Sequence, residues 1–325
     1  MSWTEEALEV IAKCELGKML DKRKNKGEYQ PYLSNVDVRW GAFDLESLKE
    51  MRFESKEFER YSLKDGDIIM CEGGEAGRCA IWKAAKTKMM YQKALHRIRV
   101  KDNIDSSYLF YQFLNMGNKR EFEPYYTGST IKHLPLQVLK KIPVSFPILQ
   151  TQKRIADILS AYDDLIENNL KRIKLLEQAA QNIYKEWFVH MRFPGHEDAV
   201  MDEETGLPEG WEEVVMEDIM NVSGGGTPST KEPLYWIEGK VLWFSPTDLN
   251  KNSSLVLIDS TKKITQLGLK KSSAKLLSKR TILMSSRATI GLFGLYNGEC
   301  STNQGFININ PKEESLRFYI LSQVS

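Results

Sequence analysis

One stretch in the middle of the chain repeats apolar residues at helical spacing, and it constrains the fold more than any other feature. From Ile155 to Trp187 the spacing alternates between four and three residues. The ten positions are Ile155, Leu159, Tyr162, Ile166, Asn169, Ile173, Leu176, Ala180, Ile183 and Trp187. All but Asn169 are apolar, which is typical of a coiled-coil seam. The sequence therefore predicts one long helix, about 48 Å from end to end of the seam at 1.5 Å per residue.

Proline and glycine mark both ends of this predicted helix. Pro147 precedes it and Phe193-Pro194-Gly195 follows it, so we place the helix at residues 148–192. Asn169 inside the seam has two interpretations: it fixes the register of a partner helix at some cost in stability, or it reaches solvent. Three further apolar residues widen the stripe: Ile158, Leu165 and Leu170. This width indicates more than one partner helix.

The segments before and after the helix share a pattern. Leu63–Met70, then Gly77 and Ile81-Trp82, parallels Leu277–Met284, then Gly291 and Leu295-Tyr296, at a constant offset of 214. Later, Tyr108–Leu114 resembles Leu316–Ser322, and both stretches favour a short helix. Equal patterns at equal spacing indicate an internal duplication.

Within each copy the local signals favour β-strands joined by glycine-rich turns. Asp67–Cys71 and Thr281–Ser285 are short apolar runs, and glycines follow both of them. A chain of 325 residues also favours two domains. We therefore predict an α+β fold with two sheet-cored domains separated by one long coiled-coil helix. The predicted ranges are residues 1–147, the helix at 148–192, an acidic linker at 193–208, and residues 209–325.

Charge is segregated along the chain although the formal net charge is only +1. Residues 76–101 carry eight Lys or Arg and no acid, and residues 261–280 carry seven with no acid. A third basic cluster surrounds Lys22-Arg23-Lys24, whereas residues 193–218 carry ten acids and no Lys or Arg. Because phosphate binding responds to local cation density, the basic runs favour a nucleic-acid partner; each run alone is also compatible with ordinary solvated surface.

Catalytic and metal-binding patterns are weak. The glycine-rich Gly224–Thr230 lacks the lysine of a phosphate-binding loop. Glu54-Ser55-Lys56, with Asp44 upstream, matches half of a nuclease signature, but such a tripeptide is common by chance. The four cysteines form no Cys-x-x-Cys pair, which favours free thiols in a reducing cytoplasm. A metal shared by His190 and His196 would need a further carboxylate ligand. No catalytic residue, metal site or membrane span is predicted.

Several motifs in order resemble one family, the specificity subunits of type I restriction-modification systems. The strongest match is Ile148–Asn169 followed by Ile183–Val189, which looks like the family's central helix. Gly128–Leu134 looks like the motif that closes a target recognition domain. The second copy contributes four more family motifs: Gly225–Ser229, Trp243–Asp248, Ser285–Gly291 and Asn303–Gly305.

The resemblance implies two target recognition domains, each reading half of a split site in double-stranded DNA, with the helix setting the gap between the halves. It further implies that methyltransferase subunits dock on the helix and that a restriction subunit joins that complex. S-adenosylmethionine, ATP and magnesium would belong to these partners, so we expect no cofactor in this chain. The expected location is cytoplasmic.

The chain departs from the family in its second copy. Family members usually close the second domain and add a second long helix antiparallel to the first. The duplication predicts roughly 75 further residues for a full second repeat, so we interpret the chain as truncated at its C-terminus. The seam would then be open to a second copy of this chain, which would restore a two-fold reader.

Candidate site residues follow from these interpretations. For DNA we name cations and polar loop side chains, because Lys and Arg grip phosphates and Arg can read guanine. They are Lys22, Arg23, Lys24, Arg78, Lys132, His133, Thr227, Ser229, Lys231, Lys270, Lys271 and Arg287. For the subunit interface we name Ile155, Leu159, Tyr162, Ile166, Asn169, Ile173, Leu176, Ile183, Trp187 and Phe188.

Each assignment has an alternative. The Ser285-Ser286-Arg287 motif is shared by subunits with different targets, which favours a phosphate contact or a structural role for Arg287. The helix seam could serve packing within the chain alone. For the protein as a whole, the alternatives to a DNA-reading subunit are a coiled-coil adaptor without independent DNA reading, and a nuclease using Glu54 and Lys56.

Overall fold

A computed structural model describes residues 3–19, 21, 25–83, 88–252, 254–287 and 289–325 of the chain. The chain divides into two compact units, called unit 1 and unit 2 below, with the division between Glu167 and Asn168. Each unit contains its own β-sheets and its own buried apolar clusters. No helix in the described part of the chain is long and apolar enough to cross a membrane.

Unit 1 alternates short strands with short helices. Its strands are β1 Thr4–Ala7, β2 Ala12–Leu16, β3 Glu28–Leu33, β4 Lys49–Phe53, β5 Ile68–Cys71, β6 Cys79–Ile81, β7 Met90–Tyr91, β8 Leu95–Val100 and β9 Pro143–Phe146. Its helices are α1 Leu8–Ile11, α2 Phe58–Tyr61, α3 Ser106–Asn118, α4 Leu136–Leu139 and the first part of α5 Leu149–Tyr184. The sheets have the orders β2-β8-β5-β6, β4-β3-β7 and β1-β9. In the first of these, every pair is antiparallel.

Unit 2 repeats this arrangement. Its strands are β10 Met220–Gly224, β11 Val241–Phe244, β12 Val256–Leu257, β13 Lys262–Ile264, β14 Ile282–Ser285, β15 Phe293–Tyr296, β16 Cys300–Thr302 and β17 Phe306–Pro311. Its helices are α6 Met216–Ile219, α7 Pro246–Lys251, α8 Gln266–Lys270 and α9 Arg317–Val324, together with the second part of α5. The sheet orders are β10-β17-β14-β15-β12 and β13-β11-β16.

The strand pairing confirms the internal duplication. β5 lies between β8 and β6 in unit 1, as β14 lies between β17 and β15 in unit 2. In both units the three-stranded sheet joins an antiparallel pair, β3 with β4 or β11 with β13, to a parallel pair, β3 with β7 or β11 with β16. The parallel pairing is not what adjacent hairpins would give, so its occurrence in both units reflects a shared topology.

The predicted match between Tyr108–Leu114 and Leu316–Ser322 was wrong by three residues. Helix α3 begins at Ser106 and α9 at Arg317, and the preceding strands begin at Leu95 and Phe306, both 211 residues apart. Tyr108 and Gln112 therefore correspond to Tyr319 and Gln323. The misalignment arose because both helices are rich in aromatic and aliphatic residues, which match almost as well one turn out of step.

The long helix α5 has 36 residues and continues as a π-helical turn at Lys185–Val189. At its start, the fully buried Gln152 makes three hydrogen bonds to two segments of unit 1. Its Nε2 donates to the carbonyl oxygens of Pro147 at 2.8 Å and Asn103 at 3.3 Å, and its Oε1 accepts from the backbone N–H of Asp105 at 2.9 Å. Asp105 is itself the N-cap of α3. One side chain thus attaches the first turn of α5 to the helix that covers the sheet.

Candidate nucleic-acid interface

In unit 1, the loop after β5 and a hairpin at residues 127–133 form one surface. The hairpin closes through two hydrogen bonds between Thr127 and His133, and Leu134 donates to the carbonyl oxygen of Glu72 at 2.7 Å. The His133 ring packs directly on Gly73: a Cβ there would lie 2.7 Å from His133 Nδ1. The fold therefore brings the closing motif Gly128–Leu134 beside the glycine-rich turn, with His133 at the junction.

The candidate cations of unit 1 differ in burial and in the number of contacts that they make within the unit. Arg78 donates to the carbonyl oxygen of Asn35 at 2.8 Å and to Glu75 at 3.0 Å, and its side chain is largely buried. Lys132 is exposed and lies over the Tyr126 ring, 5.7 Å from the centroid. Arg78, Lys132 and His133 thus lie in one loop cluster, in which Lys132 and His133 face solvent. Lys22, Arg23 and Lys24 lie outside the described residues.

Beneath Arg78 the loop rests on a buried cysteine. Arg78 approaches the Cys71 Sγ at 3.8 Å, yet burial raises the pKa of that thiol to about 11. Desolvation therefore outweighs the nearby positive charge, and the thiol stays protonated at neutral pH. Cys14, Cys71, Cys79 and Cys300 are all buried free thiols.

In unit 2, the Gly225–Ser229 turn rests on the Asn303–Gly305 turn. A Cβ on Gly225 would lie 2.1 Å from the carbonyl oxygen of Asn303, so glycine is needed for the close approach. Gly17 of unit 1 makes the equivalent approach, 2.3 Å to the carbonyl oxygen of Gln92. The Thr227 hydroxyl donates to the Gln304 amide oxygen. The two motifs therefore form one surface.

The loop after β14 joins the same surface. The backbone N–H of Ser286 donates to the carbonyl oxygen of Gly305 at 2.8 Å, which places the exposed Arg287 next to the Asn303–Gly305 turn. Ser229, at the end of the Gly225–Ser229 turn, and Lys231 are exposed, and Trp236 Nε1 donates to the Ser229 carbonyl oxygen at 3.0 Å. The structure thus brings Thr227, Ser229, Lys231 and Arg287 around one pair of turns.

Gln304 is a polar residue of this surface that the sequence prediction missed. Its side chain is exposed beside Thr227, and an amide of this kind can form a bidentate contact with adenine. The signal was available, because Asn303-Gln304-Gly305 stood out as a motif. Asn303 and Gly305 are residues that favour a turn, so they account for the motif by themselves. The side-chain amide of Gln304 between them was therefore given no role.

The two basic runs have different environments. Interpreting the whole of residues 76–101 as a surface patch was wrong for Arg97 and Arg99. Arg97 is buried and bonded to Glu15, and Arg99 forms a two-point pair with Asp67 at 2.6 Å. Their acidic partners come from distant parts of the sequence, so a local charge count cannot detect them.

The second basic run remains largely on the surface. Lys270 and Lys271 are exposed at the end of α8, and no ion pair involves either of them among the described residues. Ser273, two residues after Lys271, packs against Gly226. This contact places the two lysines near the Gly225–Ser229 turn. Lys262 lies over the Trp236 ring at 5.6 Å. Local cation density is therefore high on this side of unit 2.

Most of the predicted seam of α5 is exposed. In the part of α5 within unit 1, Ile155 is half-buried while Leu159, Tyr162 and Ile166 are exposed. In the part within unit 2, the exposed interface candidates are Asn169, Leu176, Ile183 and Trp187, and the half-buried ones are Ile173 and Phe188. Within unit 2 the positions next to the seam make the contacts: Glu177 accepts from the Leu255 N–H and Gln181 donates to Ser325. Most of the apolar seam is thus exposed, and its role as a subunit interface remains a prediction.

The residues considered for catalysis are engaged locally. Glu54 and Lys56 pair with each other at 2.8 Å, whereas Asp44 pairs with Arg39. His196 Nδ1 lies 2.9 Å from the Phe193 carbonyl oxygen. Within the described ranges, no group of three or more His, Cys, Asp or Glu side chains is arranged to hold a metal ion.

The sequence profile of the type I restriction modification DNA specificity domain matches residues 2–178 and again 208–324. The chain belongs to this family. The two matched segments extend over the same repeated sheets that define units 1 and 2. Each therefore carries one copy of the specificity domain.

Named relatives and a solved structure agree with this family. The MjaIX specificity subunit of Methanocaldococcus jannaschii is 28% identical over 258 residues, covering 78% of this chain and 58% of that protein. The MjaVIII specificity subunit of the same organism is 29% identical, covering 70% of this chain and 55% of that protein. The chain thus spans little more than half the length of these relatives.

The crystal structure of the type I restriction-modification S subunit from M. genitalium has a similar fold. It covers 99% of this chain and 75% of its own, with a TM-score of 0.52 and 16% sequence identity. The predicted α+β fold of the specificity family, with two sheet-cored domains and one long helix, is confirmed. The exact domain limits and the individual DNA and interface residues remain predictions.

Proposed function

We propose that this chain is the DNA-reading subunit of a type I restriction-modification complex and is not itself an enzyme. Each unit would read one half of a split double-stranded target. The methyltransferase subunits would dock on α5, and the restriction subunit would join through that complex. S-adenosylmethionine, ATP and magnesium would then act on the partner subunits, and the site of action would be the cytoplasm, where the DNA is.

The observation that carries this proposal is the repeated pair of loop surfaces. In each unit, the loop that follows the central strand, β5 or β14, belongs to a surface that presents polar and cationic side chains to solvent. Lys132 and His133 do so in unit 1, and Thr227, Lys231 and Arg287 do so in unit 2. Cations position a protein on the phosphates, and Arg, Gln and hydroxyl groups can read base edges. Different side chains on one frame are what two different half-sites require.

The exposed seam of α5 supports the docking part of the proposal. A stripe containing Leu159, Ile166, Leu176 and Ile183 exposes large apolar side chains, each at least 38% accessible. Such a contiguous stripe marks an interaction site, because isolated proteins rarely leave one in water. Methyltransferase subunits are the proposed occupants. A second copy of this chain, which would supply an antiparallel partner helix, is the alternative occupant.

The proposal is tested with the chain co-expressed with its methyltransferase subunit. Light scattering gives the number of chains per complex, and fluorescence anisotropy gives duplex affinity at several salt concentrations. A DNA reader loses affinity steeply as salt rises, because bound cations displace counterions from the duplex. An adaptor that does not read DNA would bind the methyltransferase subunit and show no duplex binding of its own.

Lys270 and Lys271 offer a sharper version of this test. Replacing both with Ala removes two exposed cations, so the slope of log affinity against log salt should fall by about 1.8, or about 0.9 per phosphate contact. Lys312→Ala is the matched control, since this exposed lysine follows β17 at the end remote from Gln304. An unchanged slope in the double variant would exclude these lysines from the DNA surface.

A further inference from the structure

The turn between β7 and β8 in unit 1 corresponds to the turn between β16 and β17 in unit 2. In unit 1 the N–H of Gln92 donates to the Leu33 carbonyl oxygen at 3.1 Å. In unit 2 the N–H of Asn303 donates to the Phe244 carbonyl oxygen at 3.0 Å. Donors and acceptors are both 211 residues apart, which is also the offset between the starts of β8 and β17. The two turns are therefore equivalent residue for residue.

A second backbone contact supports the same correspondence. The N–H of Glu72 donates to the Ala94 carbonyl oxygen at 3.0 Å, and the N–H of Ser286 donates to the Gly305 carbonyl oxygen at 2.8 Å. Ala94 and Gly305 are again 211 residues apart. Because Glu72 and Ser286 belong to the loops that follow β5 and β14, each turn lies on the candidate DNA surface of its unit.

The middle residue of the turn differs between the units: it is Lys93 in unit 1 and Gln304 in unit 2. Both side chains are exposed. The N–H of Lys93 donates to the Lys18 carbonyl oxygen at 2.8 Å, so the backbone of the turn is held while the side chain lies at the surface. Lys93 and Gln304 therefore occupy the same place on the two candidate DNA surfaces.

These two side chains differ in hydrogen-bonding capacity. An ammonium group only donates, and it matches the two acceptors, O6 and N7, that guanine presents in the major groove. A carboxamide both donates and accepts, and it matches the N7 acceptor and the N6 donor of adenine. Because Gln304 is uncharged, this position is not kept as a cationic phosphate contact in both units.

A neighbouring residue differs in a way that fits these roles. The Thr227 hydroxyl donates to Oε1 of Gln304. An amide has a donor end and an acceptor end, so its orientation must be fixed before it can distinguish bases. The equivalent residue in unit 1 is Met19, which follows Gly17 by two residues as Thr227 follows Gly225. Met19 has no hydroxyl, and an ammonium group needs no such orientation.

We propose that Lys93 and Gln304 determine the base read at equivalent points of the two half-sites, with Lys93 selecting guanine and Gln304 selecting adenine. Gln304 would accept from adenine N6 with the second lone pair of Oε1 and donate to N7 through Nε2. Thr227 is a positioning residue, because it holds the amide in this orientation. Both selections rest on the proposed DNA-reading function.

A second pair of equivalent residues has the opposite character. Lys49 lies opposite Tyr32 in the β3–β4 pair, and Lys262 lies opposite Trp243 in the β11–β13 pair. Tyr32 and Trp243 are 211 residues apart, and both lysines are exposed. A cation kept at the same place in both units suits a phosphate contact, which positions a protein without reading sequence. Lys49→Ala is therefore a matched control for the loss of one charge.

The test uses the full chain in complex with its methyltransferase subunit and a library of duplexes with a random central region. Selection and sequencing of the bound duplexes give the split target of the parent complex. Gln304→Lys should change one adenine of one half-site to guanine, and Lys93→Gln should change one guanine of the other half-site to adenine. Each substitution introduces a residue that the equivalent turn already carries, so both variants should fold.

Fluorescence anisotropy with each of the four base pairs at these two points measures the preferences. The parent complex should bind the preferred base about tenfold more tightly than the others, and each exchange should reverse the order of adenine and guanine. Thr227→Val should remove most of the preference for adenine, whereas Thr227→Ser, which keeps the hydroxyl, should retain it. Lys49→Ala should weaken binding to all four duplexes equally.

Two results would overturn the proposal while leaving DNA reading intact. One is selection of the same target by the parent and both exchange variants. The other is an equal loss of affinity for all four bases in Lys93→Gln, because Lys93 would then contact a phosphate. Equal adenine preference in the Val and Ser variants would refute the positioning role of Thr227. A complex that binds duplexes without any sequence preference would instead refute the proposed function itself.

Discussion

Replacing Gln152 with Leu removes the side chain that attaches α5 to unit 1. Leucine has a similar volume but cannot hydrogen-bond. The change leaves the carbonyl oxygen of Pro147 without its buried donor, and it removes the partners of the Asp105 N–H and the Asn103 carbonyl oxygen. The result should be a less stable unit 1 with a loosened start of α5.

The magnitude follows from these three contacts. A buried polar group left without its partner costs about 1–3 kcal/mol. The Pro147 contact is buried and counts fully, whereas the other two are partly buried and the 3.3 Å bond to Asn103 is weak. The added apolar burial of leucine offsets part of the loss. We expect the free energy of unfolding of unit 1 to fall by about 2–4 kcal/mol.

Urea unfolding followed by tryptophan fluorescence measures this loss. With a slope of about 2–3 kcal/mol/M, the midpoint of the unit 1 transition should fall by about 1 M. Gln178→Leu is the control, because the same substitution at an exposed position of α5 should change stability by less than about 0.5 kcal/mol. If the two variants unfold at the same urea concentration, Gln152 does not anchor the helix.

Two further predictions concern His96 and Ile166. Burial lowers the pKa of His96 to about 4. Between pH 6.5 and pH 4 the unfolded chain therefore binds more protons than the folded chain. The free energy of unfolding should decrease by about 3 kcal/mol in total as the pH is lowered through this range. Unfolding measured across this pH range should show this loss of stability in the control variant His190→Asn, which changes an exposed histidine, but not in His96→Asn. Ile166→Glu places a charge on the exposed seam of α5, which should abolish co-purification of the methyltransferase subunit while leaving the thermal transition unchanged. Asn168→Glu, an exposed position off the seam, should retain the complex, and retention by both variants would argue against docking through the seam.

The long helix could be predicted closely because its pattern is local. Pro147 restricts the preceding chain and the seam repeats without a break, so the observed start at Leu149 lies one residue from the predicted one. The face that α5 turns to unit 2 could not be predicted. Glu177 and Gln181 form polar contacts there, and Tyr184 and Phe188 pack on Tyr319. None of these four residues lies on the predicted seam, so the periodicity of the seam carries no information about these contacts.

The two basic runs also could not be distinguished from the local sequence. Seven cations in residues 261–280 and eight in residues 76–101 look alike in sequence. In the folded chain, Arg97 and Arg99 meet Glu15 and Asp67, which strand pairing brings from far along the chain. Lys270 and Lys271 meet no acid among the described residues. A charge count within a window cannot separate the two cases, because the deciding partners are not local.

The duplication was visible in sequence, but its register was not. The offset of 214 holds for β5 and β14, whereas the helices that follow are 211 residues apart. A three-residue difference in the intervening loops shifts the match without disturbing the sheet. Only with the strands in place does Tyr319 align with Tyr108, and Gln323 with Gln112.

Gly17 and Gly225 press the chain against the backbone of the neighbouring turn in their respective units. Because both contacts are between main-chain atoms, they hold the loops at a set distance whatever side chains the neighbouring positions carry. The side chains of the loop residues can therefore change by mutation without disturbing the packing of the loops on the sheet. Each unit can acquire a new binding preference on its own, and the frame common to both tolerates that divergence as long as the two glycines stay.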